Sequence, residues 1–103
     1  MKIPYTDYCD IPSFLEDVAK CCLWEMTEQT KQKLQSEPNP ILYHFGIGGY
    51  IRNEFLFSQK KLISSATAEQ KAKIEDLIRR ADDYSLNVIE RIIEKINRNP
   101  NGF

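Results

Sequence analysis

The chain has 103 residues, of which 42% are hydrophobic and 28% are charged, and its formal net charge is -1. This length excludes a second folding unit, the composition excludes a largely disordered chain, and the small net charge argues against nucleic-acid binding as the main role. No segment approaches the roughly 18 apolar residues of a membrane span, and the first ten residues lack the apolar run of a signal peptide. We therefore expect a cytoplasmic protein.

Residues 1–12 predict an ordered lead-in arm, because two prolines restrict the backbone and two tyrosines supply apolar surface. After this arm, Ser13 and Glu16 have the S-x-x-E spacing of a capping box, and large apolar residues follow at helical intervals. We predict a first helix from Ser13 to Leu23.

A short and mostly exposed second helix is predicted after Thr27, which is a suitable N-cap residue. The residues that follow are strong helix formers, with Leu34 as their single large apolar side chain. The sequence Glu37-Pro38-Asn39-Pro40 ends this helix, since proline lacks an amide donor. Pro40 can occupy the first position of the next helix.

The most unusual segment is HFGIGGYIRNEF, residues 44–55, which holds three of the four glycines and the only histidine. Apolar residues recur from Ile41 to Phe55 at spacings of three to five, which favours a helix. Glycine costs roughly 1 kcal/mol inside a helix. We therefore predict that Gly46, Gly48 and Gly49 mark a place where another helix crosses at short distance.

Residues 56–65 predict a loop that carries a basic Lys60-Lys61 pair. Thr67 and Gln70 then form a second capping box in front of an apolar stripe. We accordingly predict that the following helix begins directly after Thr67.

Helical spacing of apolar residues continues from 68 to 97 without proline or glycine, so one long helix and two helices both remain open. Asp82 and Asp83 are suitable caps for the second of two helices. Residues 98–103 contain proline and glycine and predict a frayed end. Together these elements predict an all-α fold over residues 1–103, a single compact bundle of four or five helices.

His44 is the side chain that titrates nearest neutral pH, and with Arg52 and Glu54 about two turns further on it suggests a small hydrolase or nuclease. Acid-base catalysis needs a second group with a different pKa, and the sequence offers no second histidine. A hydrogen-bonded histidine inside a helix crossing is the favoured interpretation. Arg52 is predicted to pair with Asp82 or Asp83, which would tie the third helix to the last.

Other site chemistry finds little support in the sequence. The glycines of F-G-I-G-G lack both the preceding strand and the following Gly-Lys of a phosphate-binding loop. Cys9, Cys21 and Cys22 lack the spacing of a zinc or thiol-exchange motif, which favours three reduced thiols packed as small apolar side chains. We predict no metal site, no cofactor and no direct nucleic-acid contact.

The segment H-F-G-I-G-G-Y-I-R-N-E-F resembles HFGLGMWIRN, a motif of a family of small bacterial helical domains of unknown function. Ala81-Asp82-Asp83-Tyr84-Ser85 resembles the H-P-D-D-A-S element of that family, and residues 13–34 look like its lead-in helices. Gly49 and Tyr50 replace the family's Met and Trp. The residues that match by position are His44, Phe45, Gly46, Gly48, Ile51, Arg52, Asn53, Asp82, Asp83 and Ser85. We interpret these matching residues as structural.

Members of this size look similar to immunity proteins encoded beside secreted bacterial toxins, so the resemblance implies a protein partner. Because a second catalytic acid or base is missing, we predict no enzymatic activity. Residues 1–30 hold two basic and six acidic residues, a balance of -4. We predict that this third of the chain covers the basic cleft of a toxin domain, for example a nuclease. The predicted binding residues are Asp7, Tyr8, Asp10, Glu16, Asp17, Trp24 and Glu25. A regulatory or scaffold domain that pairs through its C-terminal apolar stripe remains an alternative.

Overall fold

The computed structural model describes residues 3–98, which form an all-α domain with five α-helices and no strand. The helices are α1 (Ile11–Glu25), α2 (Glu28–Ser36), α3 (Ile47–Ile51), α4 (Ala68–Arg79) and α5 (Ala81–Arg98). The Cα radius of gyration is 13.9 Å, close to the value of about 13 Å for a folded domain of 100 residues. The predicted fold class is confirmed.

α5 is the central helix, against which α1, α2, α3 and α4 all pack. One side of α5 is apolar and buried along its length, through Ala81, Val88, Ile89, Ile92, Ile93 and Ile96. α1 covers much of this side with its own buried residues, Phe14, Leu15, Val18, Ala19, Cys22 and Leu23. The outer sides of α1 and α3 are therefore left at the surface.

α1 begins at Ile11, two residues earlier than predicted, and its cap is Asp10. The Asp10 carboxylate accepts a hydrogen bond from the Ser13 amide at 2.8 Å, and this bond lowers the pKa of Asp10. The predicted capping box of Ser13 and Glu16 is wrong, because the Glu16 carboxylate turns toward basic side chains of α5.

Glu16 links α1 to α5 through salt bridges with Arg91, at 3.1 Å, and with Lys95. These bonds, first of all the one from Lys95, lower the pKa of Glu16 from its ordinary value of 4.5. Because the pKa is lower in the folded than in the unfolded state, the stabilisation is present above pH 4.5 and is lost as the pH falls below it.

We expect the substitution Glu16→Gln to lower the free energy of unfolding by about 1 kcal/mol at neutral pH. The difference from the wild type should shrink as the pH is lowered from about 5 to about 3, where Glu16 itself becomes protonated. Urea unfolding at several pH values measures this difference, and Glu75→Gln, at an exposed position of α4, is the control. A loss that is equal at both ends of the pH range would contradict this account.

α2 begins where the sequence predicts, with the Thr27 side chain accepting a hydrogen bond from the Thr30 amide at 3.2 Å. Pro40 then opens a 3₁₀ segment, Pro40–Tyr43, as expected for a proline in a first turn. The Asn39 side chain caps this segment by accepting a hydrogen bond from the amide of Ile41 at 3.2 Å.

The single helix predicted between Ile41 and Phe55 is wrong, because the chain forms three short elements there. The 3₁₀ segment is followed by α3 and then by a π-helix, Arg52–Leu56. A π turn takes one residue more than an α turn, so it shifts the face on which later residues lie. As a result the consecutive residues Phe55 and Leu56 are both fully buried.

The loop predicted over residues 56–65 is also wrong, because Phe57–Ser65 is a 3₁₀ helix around the fully buried Gln59. Gln59 Oε1 accepts a hydrogen bond from the Tyr5 amide at 2.8 Å. Its Nε2 donates to the carbonyls of Ile3, at 2.7 Å, and Phe55, at 2.8 Å. The lead-in arm is thereby fixed to the domain as far as it is described, and residues 1 and 2 lie outside the described chain.

Thr67 and Gln70 form the predicted capping box at the start of α4, with their side chains accepting each other's amides at 3.1 and 3.0 Å. α4 ends before Arg80, whose backbone leaves the helical region with φ -109° and ψ 34°. The structure therefore contains two helices where the sequence left one or two open.

Asp82 and Asp83 lie within the first turn of α5, so the prediction that they cap it is wrong. Carboxylates in a first turn stabilise the positive end of the helix dipole. Asp83 also lies 3.8 Å from Arg80. The sequence predicts a frayed end over residues 98–103. Residue 98 still belongs to α5, and residues 99–103 lie outside the described chain.

Candidate functional site

Arg52 stands at the centre of a polar cluster that joins the two motif segments. Its Nη1 donates a hydrogen bond to Ser85 Oγ at 3.0 Å, and its Nη2 donates to the His44 carbonyl at 3.0 Å. Its Nε lies 3.6 Å from the carboxylate of Asp82. This is one of the two pairings, with Asp82 or Asp83, that the sequence predicts. Together with Gly48, which packs against the guanidinium, we call these residues the Arg52 cluster.

The ring of His44 belongs to the same cluster. Its Nδ1 lies 3.5 Å from Nη1 of Arg52, and a guanidinium only donates hydrogen bonds. The ring Nδ1 and the carbonyl of His44 thus both face Arg52, so His44 is part of the packing of this cluster. Among residues 3–98, no group of three or more His, Cys, Asp or Glu side chains is arranged to hold a metal ion.

Gly48 is the glycine that close packing requires. A Cβ there would lie 3.0 Å from Nη1 of Arg52, 3.2 Å from the Tyr43 carbonyl oxygen and 3.6 Å from a methyl group of α5. A Cβ at Gly49 would lie at an ordinary 3.8 Å from Arg52, and one at Gly46 would meet no described atom within 4 Å. The close helix crossing predicted for three glycines is correct for Gly48 and wrong for the other two.

We expect Gly48→Ala to be about 1–2 kcal/mol less stable than Gly49→Ala. Both substitutions gain the same helix propensity, roughly 1 kcal/mol, so their difference isolates the contact with Arg52 and with the Tyr43 carbonyl. Urea unfolding followed by circular dichroism measures this difference. Equal stability of the two variants would show that the contact at Gly48 is not limiting.

The acidic residues predicted to bind a partner are largely engaged within the fold. Asp10 caps α1, Glu16 bridges to α5, and Asp17 accepts a hydrogen bond from the Tyr8 hydroxyl at 2.8 Å. Burial, and then this bond to Asp17, raises the pKa of Tyr8 to about 12. Asp7 is exposed on the lead-in arm. Asp10, Glu16 and Asp17 therefore also have structural roles within the fold, and their predicted role in partner binding stays a prediction.

A different part of the predicted set lies beside exposed aromatic side chains. Trp24 and Phe45 are each 88% exposed, the largest exposed fractions among the large apolar side chains of residues 3–98. Glu25 follows Trp24, and its carboxylate accepts a hydrogen bond from the Tyr50 hydroxyl at 3.2 Å. Tyr50 lies in α3, five residues after Phe45, with its amide bonded to the Gly46 carbonyl at 3.1 Å. This hydrogen bond links the end of α1 to α3.

Further exposed apolar side chains lie near Phe45 and Tyr50 in the sequence. Ile41 and Leu42 precede Phe45 and are 71% and 61% exposed, and Phe57 follows two turns after Tyr50 at 43%. Several exposed apolar side chains within one chain segment make residues 41–57 a candidate interaction segment. The exposure of Phe45, Ile41 and Leu42 is not visible in the sequence. Their apolar spacing predicts the buried side of one helix, whereas the chain forms three short elements there.

Of the remaining motif residues, Ile51 is fully buried and Asn53 is exposed. Comparisons of the chain with family models, with curated proteins and with solved structures found no match. The resemblance to the family with the HFGxGxxIRN motif therefore stays a prediction. None of the helices within residues 3–98 has the length and apolar character that crossing a membrane requires.

Proposed function

We propose that this protein binds a bacterial toxin domain and neutralises it by covering the active site of the toxin, as an immunity protein does. The observation that carries the proposal is the exposure of Trp24 and Phe45 at 88% each. Aromatic side chains that protrude from an ordered backbone commonly supply most of the energy of protein binding. The class of partner comes from the motif around His44 and Arg52, which resembles small domains encoded beside secreted toxins.

A hydrolase or nuclease that uses His44 is the alternative, and the geometry favours it less. The ring Nδ1 of His44 faces the Arg52 guanidinium at 3.5 Å, and the His44 carbonyl accepts from the same group. A general base must instead reach the proton of a substrate, with a matched acid nearby.

The scaffold alternative relied on the apolar stripe of the last helix. In the structure this stripe is used inside the domain, with Val88, Ile92 and Ile96 each at most 3% exposed. The burial of this stripe supports the immunity proposal over a scaffold domain that pairs through it.

Co-expression tests the proposal. The probe is the C-terminal domain of a large secreted protein encoded immediately upstream, produced in bacterial cells with or without the present protein. We expect the toxin domain to stop growth alone, and to be harmless and to co-purify in equal amounts when the two are made together. A catalytically inactive toxin domain is the control and should co-purify equally well. Continued growth arrest at equal expression, or the absence of an upstream toxin, would contradict the proposal.

A further inference from the structure

The junction between α4 and α5 is a single residue, Arg80. Its backbone, with φ -109° and ψ 34°, departs from the helical values of about -63° and -42°. Its amide nevertheless donates to the Asp76 carbonyl at 2.9 Å, and its carbonyl accepts from the Tyr84 amide at 3.0 Å, as in an uninterrupted helix. The bend between the two helices therefore depends on the backbone angles of one residue.

The sequence around Arg80 does not require this bend. Residues 68–98 contain no proline and no glycine, the two residues that most strongly disfavour a helix interior. Apolar side chains at helical spacing continue across the junction, from Ile74 through Ala81 to Val88. Because the first amides of a helix have no partner within it, a straight junction would also add backbone hydrogen bonds. One continuous helix is thus compatible with the local sequence.

A hydrogen bond between side chains on opposite sides of the junction holds the bend. The Tyr84 hydroxyl donates to the carboxylate of Asp76, and the Arg80 guanidinium lies over the Tyr84 ring, 5.2 Å from its centroid. In a straight helix, residues 76 and 84 lie about 12 Å apart along the axis, and the Asp76 side chain leans away from Tyr84. The bond between Tyr84 and Asp76 is therefore specific to the bent state, and we call it the junction lock.

The two helices pack on different parts of the domain. α4 lies mainly on the lead-in arm and the 3₁₀ helix Phe57–Ser65, whereas α5 lies mainly on α1, α2 and α3. A change at Arg80 can therefore carry α5 away as a unit and leave α4 in place. The apolar side of α5, which includes the buried Ile89 and Ile92, must then be covered again. A second copy that has opened in the same way supplies the identical surface.

We infer that the α4–α5 junction is a hinge through which two copies of this protein exchange α5, with residues 68–98 of each copy forming one helix in the dimer. Each α5 then packs on α1, α2 and α3 of the other copy, so its apolar side stays buried in both states. The monomer and the dimer differ mainly at the junction, where the dimer gains backbone hydrogen bonds and loses the junction lock. This inference concerns pairing of the chain with itself and is independent of the proposed toxin binding.

The junction lock is tested with Tyr84→Phe, which removes the hydroxyl and keeps the ring. The whole chain is unfolded in urea, refolded at about 0.5 mM, and analysed by size-exclusion chromatography with light scattering, because dimer formation depends on concentration. One lost hydrogen bond per copy should raise the association constant of the dimer about 10- to 100-fold over the wild type. Tyr8→Phe is the matched control, since its hydroxyl bonds to Asp17 far from the junction, and it should stay within about twofold.

Exchange of α5 is tested separately through the salt bridges of Glu16 with Arg91 and Lys95, which join α1 to α5. One variant carries Glu16→Lys, and a second carries Arg91→Glu with Lys95→Glu, so like charges face each other within either closed monomer. In a dimer of one copy of each that has exchanged α5, opposite charges face each other in both halves. We expect the two variants, refolded together, to form this heterodimer as the main species. All three substitutions in one chain are the control, which should be monomeric.

The heterodimer distinguishes exchange of α5 from contact between two surfaces, because surface contact leaves like charges together inside each copy. A mixture that yields no heterodimer would overturn the inference, whether each variant is folded or unfolded on its own. An association constant of Tyr84→Phe equal to that of the wild type would overturn the role of the junction lock. Dimers of Tyr84→Phe without a preferred heterodimer in the mixture would assign the pairing to a surface contact and overturn the exchange.

Discussion

Replacing Gln59 with leucine should lower the free energy of unfolding by about 3 kcal/mol. Leucine fills a similar volume, so the loss is one of hydrogen bonds and not of packing. Three backbone groups, the Tyr5 amide and the carbonyls of Ile3 and Phe55, lose their side-chain partner in the interior. An unsatisfied buried polar group costs about 1–3 kcal/mol, and release of the lead-in arm into water relieves part of the total.

Urea unfolding gives the size of this loss, and amide hydrogen exchange gives its location. The Tyr5 amide donates to Gln59 in the wild type, so in Gln59→Leu it should exchange faster than the amides of α5. Gln32→Leu, at an exposed position of α2, is the control and should change stability by less than about 0.5 kcal/mol. A Gln59→Leu protein with wild-type stability and a protected Tyr5 amide would refute the role of Gln59.

Replacing Arg52 with methionine is expected to lower the free energy of unfolding by about 2–3 kcal/mol. Methionine keeps the apolar stem, and the Arg52 side chain is only 13% exposed, so the change mainly removes buried donors. The His44 carbonyl and Ser85 Oγ both lose a hydrogen bond of 3.0 Å. Arg52→Lys should recover only part of the loss, because one ammonium group cannot reproduce the fork of a guanidinium.

Arg79→Met is the matched control for Arg52. Arg79 forms a salt bridge of 2.8 Å with Asp76, but its side chain is 75% exposed. A salt bridge at such exposure contributes little, so the loss should stay below about 1 kcal/mol. Urea unfolding of the two variants side by side is the measurement, and equal losses would mean that the buried Arg52 cluster is no more important than a surface ion pair.

The helix boundaries that depend on local chemistry were the predictable part of the fold. The caps at Thr27 and Thr67 and the proline start at Pro40 follow from side chains that bond to nearby amides, and all three are observed. The cap of α1 was misplaced because Asp10 and Ser13 are both good capping residues. The choice between them depends on Glu16, which bonds to α5, and tertiary contacts of that kind are not visible in a local pattern.

The π-helix and the 3₁₀ helix after it were not predictable from periodicity. Their apolar spacing fits neither 3.6 residues nor an alternating pattern, and Gln59 looks like a surface residue until its three backbone partners are known. The candidate site likewise has a part that the sequence predicts and a part that it does not predict. A pairing of Arg52 with Asp82 or Asp83 is predictable because a guanidinium fork suits carboxylates, and the structure shows the pairing with Asp82. The exposure of Phe45 is not predictable, because it depends on the turn that precedes α3.

Inhibition of the toxin in solution tests the central claim most directly. Purified upstream toxin domain is assayed on its own substrate while the present protein is added in increasing amounts. We predict that the activity falls in proportion to the added protein and is abolished at one equivalent, whereas the Trp24→Ala and Phe45→Ala variants require a large excess. A toxin domain that keeps its full activity in a large excess of folded wild-type protein would contradict the claim.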